Sequence, residues 1–394
     1  MDAVLIKENV YWVGVVDWNL RDFHGYSTSR GGTYNAYLII DEKITLIDNV
    51  YAPFANEMIS KIKSVIDPSK IDIIISNHSE PDHSGSIQEI LKYAINAKIY
   101  ASGPAGVRSM MGTYHDIEVL PVKTNETLNI GKRTLQFIQT PLVHWPDNMV
   151  TYSEYDKILF SNDMFGQHIA SFNRYDDQYE LCILIEELKK YYVNIVLPYG
   201  AQTQRALNAV KDLDIELICT SHGAILKKYI KEAIDAYQKM STYQKENKAV
   251  VVYDTMWGST EKMALEVAEA FEQSGIETLV RHVRKNPQSD LIYDLMDAKY
   301  IAVGSPTLNN NMMSSIASFF CYLRGLNPRD LNFVVFGSYG WGGQGVTHAD
   351  RDLEDMGHHR LCKPIRIQYS PSDEQRADLK EDIKKAIKEF QDKE

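Results

Sequence analysis

The sequence predicts an α/β fold in two parts: a sheet-rich region passing from antiparallel strands to strand–helix alternation, then a doubly wound parallel sheet. Three observations carry that prediction. At 394 residues the chain is too long for one ordinary domain. Its 44% hydrophobic and 24% charged residues are the mixture of a globular protein. A polar run, Gln244-Lys245-Glu246-Asn247-Lys248, separates two differently patterned regions, so the expected domains are 1–248 and 249–394.

Taken in order, Val10 to Val16, Thr33 to Ile40 and Lys43 to Asp48 are short apolar segments divided by turns, and read as strands that begin antiparallel. Helical spacing enters at Phe54 to Ile62 and at Ser86 to Ala97. Between those helices, Ile71 to Ser76 is short, β-branched and bounded by polar residues, the pattern of a buried strand. Thr134 to Val143, Lys157 to Asn162 and Ile215 to Thr220 are further strand candidates, each running into a loop. From Ala224 the spacing of Ile225, Tyr229, Ile230, Ala233, Ile234 and Tyr237 is helical. Beyond the polar run, strands over 249–254, 278–283, 299–304, 332–337 and 363–369 alternate with amphipathic segments, and a charged helix follows from about Asp373. Strands joined by helical crossovers make a doubly wound parallel sheet.

The densest chemistry lies in Asn77-His78-Ser79-Glu80-Pro81-Asp82-His83-Ser84-Gly85, where His78, Glu80, Asp82 and His83 are all potential metal ligands. The preceding strand aims them, and Pro81 and Gly85 are expected to bend a loop so that the side chains converge. His144, Asp163 and His222 each follow another strand candidate. A lone His144 or His222 is more often a satisfied structural histidine, but the repeated strand-end placement favours a shared metal site. These seven side chains exceed the needs of one tetrahedral zinc, so two metals are the economical reading. Asp163 is the candidate bridge, with His78, Glu80 and His144 on one metal and Asp82, His83 and His222 on the other.

In the second region three strand ends carry small polar residues. The first is Thr255-Met256-Trp257-Gly258-Ser259-Thr260, which opens a helix. Hydroxyls, a glycine and free helix N–H groups cradle a phosphate, although the same turn also reads as an ordinary N-cap. The others are Gly304-Ser305-Pro306-Thr307-Leu308-Asn309-Asn310 and Gly337-Ser338-Tyr339-Gly340-Trp341-Gly342-Gly343. Ligands bind at such carboxyl ends of parallel strands, and Trp257, Tyr339 and Trp341 are suited to stack on a flat ring. Gly340 to Gly345 also satisfies G-x-G-x-x-G, the dinucleotide fingerprint. It follows the domain's fourth strand and lacks an acid about twenty residues on, near Lys363 to Arg366, so it reads as part of a ring-binding loop.

The spacing His78-x-Glu80-x-Asp82-His83 with distant His144, Asp163 and His222 resembles the metallo-β-lactamase fold, an αββα sandwich, with Glu80 replacing the second histidine of that pattern. The hard oxygen ligand moves the preference from zinc towards iron or manganese. The three loops of the second region resemble flavodoxin, which implies FMN. Together the two parts resemble the flavodiiron proteins over essentially the whole chain. That likeness implies two iron ions in a non-haem centre, FMN relaying electrons, and reduction of O2 to water, NO to N2O, or both. It further implies an external donor, rubredoxin or reduced coenzyme F420, and a head-to-tail homodimer or dimer of dimers. Asp22-Phe23-His24-Gly25-Tyr26 resembles a family segment over the metal site, so His24 and Tyr26, with His168, become candidates for the substrate pocket; packing accounts for them nearly as well.

Two rivals remain open at this stage: a dinuclear zinc hydrolase of glyoxalase or lactamase type with an accessory flavodoxin domain, and a pure electron carrier. A net charge of −11 argues against nucleic acid or an anionic membrane as partner. Neither a secretory signal nor a long apolar span is apparent, so the expected location is the cytoplasm. Cys182, Cys219, Cys321 and Cys362 are widely spaced and read as buried thiols without a disulfide framework.

Overall fold

The computed structural model describes residues 2–393. Its contacts divide the chain into two compact units. The first takes the chain up to His24, Thr28–Tyr192 and Tyr199–Thr242; the second takes Gly25–Ser27, Val193–Pro198 and everything from Tyr243.

The first unit is an αββα sandwich. One sheet has seven strands in the order Val4–Lys7, Val10–Trp12, Tyr37–Ile39, Ile44–Ile47, Ile71–Ser76, Lys98–Ser102 and Val119–Val122. Pairing is antiparallel as far as Ile44–Ile47 and parallel beyond it, as the sequence pattern implies. The other sheet orders Thr127–Asn129, Thr134–Gln139, Met149–Ser153, Ile158–Asn162 and Leu217–Thr220. Alternation from Ile73 onward explains the layers, and a register shift between Ile71 and Ile73 puts Ile71 out of step with it. Ile73 and Ile75 join Phe137, Met149, Phe160 and Leu217 in the core between the sheets. Ile71 and Ile74 pack instead with Met58, Ile59 and Ile62 of helix Ala55–Lys63. Burying each such side chain contributes about 1.5–3 kcal/mol, so the strand that aims His78 is held from both faces.

Several expected elements are shorter. The first strand breaks into Val10–Trp12 and Val15–Asp17, and its neighbour into Gly32–Tyr34 and Tyr37–Ile39. The two segments remain antiparallel partners there but pack very closely: a Cβ on Gly14 would lie 2.4 Å from the Tyr34 carbonyl oxygen. The helix expected to Ala97 ends at Leu91. Its last amides turn to tighter bonds, Lys92 to Glu89 and Tyr93 to Ile90, and Ile95 falls on the exposed side. The strand from Thr134 stops at Gln139, and the helix foreseen from Ala224 begins at Ile230. Two cysteines depart from expectation, since Cys182 and Cys321 are exposed; Cys219 is buried, Cys362 is partly so, and all four are free thiols.

The second unit is a parallel sheet ordered Glu277–His282, Glu246–Tyr253, Ala298–Gly304 and Asn332–Tyr339, with His359–Arg360 and Ile365–Gln368 both paired to the last of these. In chain order this is 2-1-3-4-5, a doubly wound sheet whose order reverses between Glu246–Tyr253 and Ala298–Gly304. Helix Ser259–Gln273 buries Met263, Val267 and Phe271 against the sheet residues Val251, Ala302 and Val334. The terminal helix Asp373–Gln391 starts with a capping box between Ser372 and Gln375. No helix among the described residues is long and apolar enough to cross a membrane.

Candidate functional site

Strand Ile71–Ser76 delivers Asn77 and His78, and the buried Asp48 carboxylate fixes the exit by accepting from the Asn77 backbone N–H at 2.7 Å and its amide at 3.1 Å. Asp82 and His83 do not lie on a loop as expected. They occupy a one-turn helix, Pro81–Ser84, with Pro81 at its first position. Gly85 has φ −64°, an ordinary helical value. What requires glycine is space, since a Cβ would stand 2.2 Å from the Pro81 carbonyl oxygen and 2.9 Å from the Ala52 nitrogen. Asp163 follows Asn162, whose φ of +51° turns the chain at the strand end. His144 sits in the turn beyond Thr134–Gln139, and His222 directly after Leu217–Thr220.

All seven expected ligands are buried and converge. They form two groups, His78, Glu80, His144 and Asp163 in one, Asp82, His83 and His222 in the other. In the first group Glu80 Oε2 lies 3.2 Å from His78 Nε2 and 3.1 Å from His144 Nε2. Asp163 Oδ2 faces the same two nitrogens at 3.6 and 3.2 Å. The other oxygen, Oδ1, lies 2.8 Å from His83 Nε2 and 3.5 Å from His222 Nε2. Asp82 completes the second group at 3.3 Å from His83 and 3.2 Å from His222. Donor atoms each about 2.1 Å from one ion stand about 3.0–3.4 Å from one another, so these spacings fit two ions sharing the Asp163 carboxylate.

A test of that fit lies in the hydrogen bonds. Both oxygens of Asp82 and of Asp163, and Nε2 of His83, His144 and His222, are buried without a hydrogen-bond partner. Close approach without hydrogen-bond alignment is what atoms aimed at a common cation show, and buried polar atoms otherwise find partners. Electrostatics agree. Burial opposes charge on His78, yet hydrogen bonds to Asp147 and Glu80 outweigh it and raise its pKa well above the usual value. His83 is pushed up to about 9, its burial outweighed by the Asp163 and Asp82 carboxylates. Asp163 is held well below the usual carboxylate range, burial being outweighed chiefly by His83. The cavity attracts positive charge.

Orientation comes from outside the ligand set. His78 Nδ1 is 3.0 Å from Asp147 Oδ2, which also accepts from the Ser79 backbone N–H and hydroxyl at 2.7 Å each. His222 Nδ1 donates to the Thr33 carbonyl at 2.7 Å, which leaves Nε2 bare for a metal. Sequence reasoning missed both partners. Asp147 stands beside His144 in the chain but serves His78, and a carbonyl carries no residue-type signal.

The pocket candidates separate. His24 Nε2 is 2.7 Å from Glu80 Oε1, a hydrogen bond that raises the His24 pKa. With Leu20, Asp22, Phe23, Tyr34 and Tyr51 it lines a cavity of about 290 Å³ that reaches Glu80 and Asp82. His168 is fully buried, its ring 4.7 Å from that of His222, and burial followed by the His222 charge drives its pKa well down. Its ring packs against that of a ligand. Tyr26 is buried, groups with the second unit, and is absent from the residues lining the cavity.

In the second unit the three expected loops meet at the carboxyl ends of their strands, two of them flanking the point where strand order reverses. Gly258, at φ +85°, turns the first loop into helix Ser259–Gln273, with open space where a Cβ would point. Thr255 Oγ1 accepts from the Gly258 N–H at 3.0 Å, and Thr260 Oγ1 lies 3.0 Å from Ser338 Oγ. The Thr307 N–H donates to the Ser338 carbonyl at 3.0 Å, and Gly345 N–H to Thr307 Oγ1 at 3.1 Å. Above this floor Leu308, Asn309 and Asn310 are exposed, and Trp257 and Trp341 are 95% and 91% exposed. Met256 is exposed too, Tyr339, Gly340, Gly342 and Gly343 are partly buried, and Pro306 is buried. A helix N-terminus beside two nearly bare indoles fits a phosphate joined to an apolar ring.

Comparison with known proteins bears on both units. Residues 33–223 match the family described as ODP family beta lactamase, and residues 251–381 match flavodoxin. A nitric oxide reductase of Moorella thermoacetica is 41% identical over 378 residues, covering 94% of each chain. The solved rubredoxin oxygen:oxidoreductase of Desulfovibrio gigas superposes with a TM-score of 0.95 at 37% identity, covering 98% of each chain. The flavodiiron protein of Giardia intestinalis gives a TM-score of 0.94 at 33% identity, over 100% of this chain and 98% of that one.

Proposed function

The chain belongs to the flavodiiron proteins, and from that premise we propose that it reduces O2 to water, NO to N2O, or both, with electrons from an external donor. The observation that carries this reading is the Asp163 carboxylate, divided between two ligand groups of which one contains Glu80. Two iron ions held by these residues, together with bound FMN, would supply the four electrons that reduction of O2 to water needs. His78, Glu80, His144 and Asp163 would hold one ion, Asp82, His83 and His222 with Asp163 the other. Asp147 and the Thr33 carbonyl keep two imidazoles turned inward. Phe23, Tyr34 and Tyr51 narrow the access to the site, and His24 holds a proton between its Nε2 and Glu80 Oε1. Thr255, Met256, Trp257, Gly258, Ser259 and Thr260 would hold the FMN phosphate, and residues 306–310 and 338–343 would bracket its ring.

A rubredoxin as donor follows the name of the Desulfovibrio relative; reduced F420 is the other candidate. A head-to-tail dimer, a cytoplasmic location and a functional division near residue 248 belong to the same proposal. The zinc hydrolase is not favoured, because Glu80 supplies a hard ligand and the relatives are named as reductases. Elemental and flavin analysis of the purified protein separates the two: the proposal expects about two iron and about one FMN per chain. Finding zinc in both sites, with lactam or thioester hydrolysis, would overturn it.

A further inference from the structure

One buried carboxylate in the second unit belongs to none of the loops already described. Asp254 directly follows strand Glu246–Tyr253 of the parallel sheet, immediately before the Thr255 to Thr260 turn, and is fully buried. Its Oδ1 accepts from the Thr255 backbone N–H at 2.6 Å and from Arg284 Nε at 2.9 Å. Its Oδ2 accepts from the Ser315 hydroxyl. His282 Nε2 lies further off, 3.8 Å from Oδ1. Arg284 reaches past the carboxylate to donate from its terminal nitrogen to the Thr255 carbonyl at 2.7 Å. Asp254 and Arg284 therefore hold both polar atoms of the Thr255 backbone.

The three partners come from three places in the chain. Thr255 opens the phosphate turn, Arg284 follows the second strand, and Ser315 lies in the first turn of helix Ser314–Leu326, just after the 305–313 loop. A buried negative charge beside a turn meant for a phosphate is unfavourable unless it does something there, and charge-assisted bonds are the strongest this hub could make. We propose that Asp254 is a positioning residue for the flavin phosphate. It sets the phosphate turn at a fixed distance from the 305–313 loop, so that phosphate and ring are held in register. This rests on the flavin reading of those loops.

The consequence is specific. Losing the hub should weaken the contribution of the phosphate and leave that of the ring, whereas a general loosening of the unit would weaken both alike. The test is titration of flavin-depleted full-length protein with FMN and with riboflavin, followed by flavin fluorescence. In Asp254→Asn the ratio of FMN to riboflavin affinity should fall about tenfold or more, since the side chain loses its charge and keeps one acceptor oxygen for donors that now use two. Ser315→Ala, which removes one arm and keeps the charge, should lower the ratio in the same direction by less. Wild-type protein that binds neither flavin would overturn the flavin reading itself. Wild type that prefers FMN, with an unchanged or raised ratio in both variants or equal losses for the two flavins, would overturn the role of Asp254 alone.

Discussion

At the scale of single residues, the metal site depends on which atoms are left without other partners. Both oxygens of Asp163 are buried and unbonded, one directed at each ligand group. Asp163→Ala should therefore strip iron from both positions while FMN stays bound; elemental analysis that still finds full iron would contradict the bridge. Asp147→Asn is a gentler change. It weakens the acceptor that orients His78, and such a loss lowers metal affinity by about 10–100-fold. Competition with a chelator measures it, and affinity equal to wild type would mean that the charge on Asp147 is not needed to orient His78. Glu80 was the residue in the sequence that separated iron from zinc, and it stands with its two oxygens shared among His24, His78 and His144. His168 was legible only as a histidine in the right region. Its ring lies 4.7 Å from that of His222, beside the ligand set.

At the scale of elements, the strands were readable because short, β-branched apolar runs bounded by polar residues survive in the local sequence, as in Ile71–Ser76 and the main strands of the second unit. The ligands announced themselves through their places at strand ends. What the sequence did not show were features set by distant contacts. At Gly14 the backbone packs too closely against Tyr34 and Asn35 for a side chain, and the one-turn helix Pro81–Ser84 ends at Gly85, where a Cβ would meet the Pro81 carbonyl oxygen. Gly85→Ala should accordingly cost about 1–3 kcal/mol of stability by overpacking. It should also displace Asp82 and His83, seen as a lower melting temperature together with loss of iron chiefly from the second position. A variant that melts like wild type with both irons in place would show that the turn relaxes freely.

At the scale of the whole molecule, two unlike sites occur on one chain, a cation-attracting cavity in an αββα sandwich and a phosphate-and-ring cradle on a doubly wound sheet. Each has a common use by itself. Their combination is what points to electron delivery, since reduction of a gas at a pair of iron ions would need reducing equivalents and a flavin can supply them singly. The two sites should fail independently. Replacing the Thr255 to Thr260 turn should release FMN and leave iron, the reverse of Asp163→Ala. The most direct measurement reduces the purified holoprotein without oxygen and follows O2 and NO consumption in separate assays. The account predicts rapid uptake of at least one gas, yielding water or N2O, that Asp163→Ala abolishes while FMN remains bound and reducible. Gas consumption that persists unchanged in that variant, or none in the wild type carrying both cofactors, would contradict it.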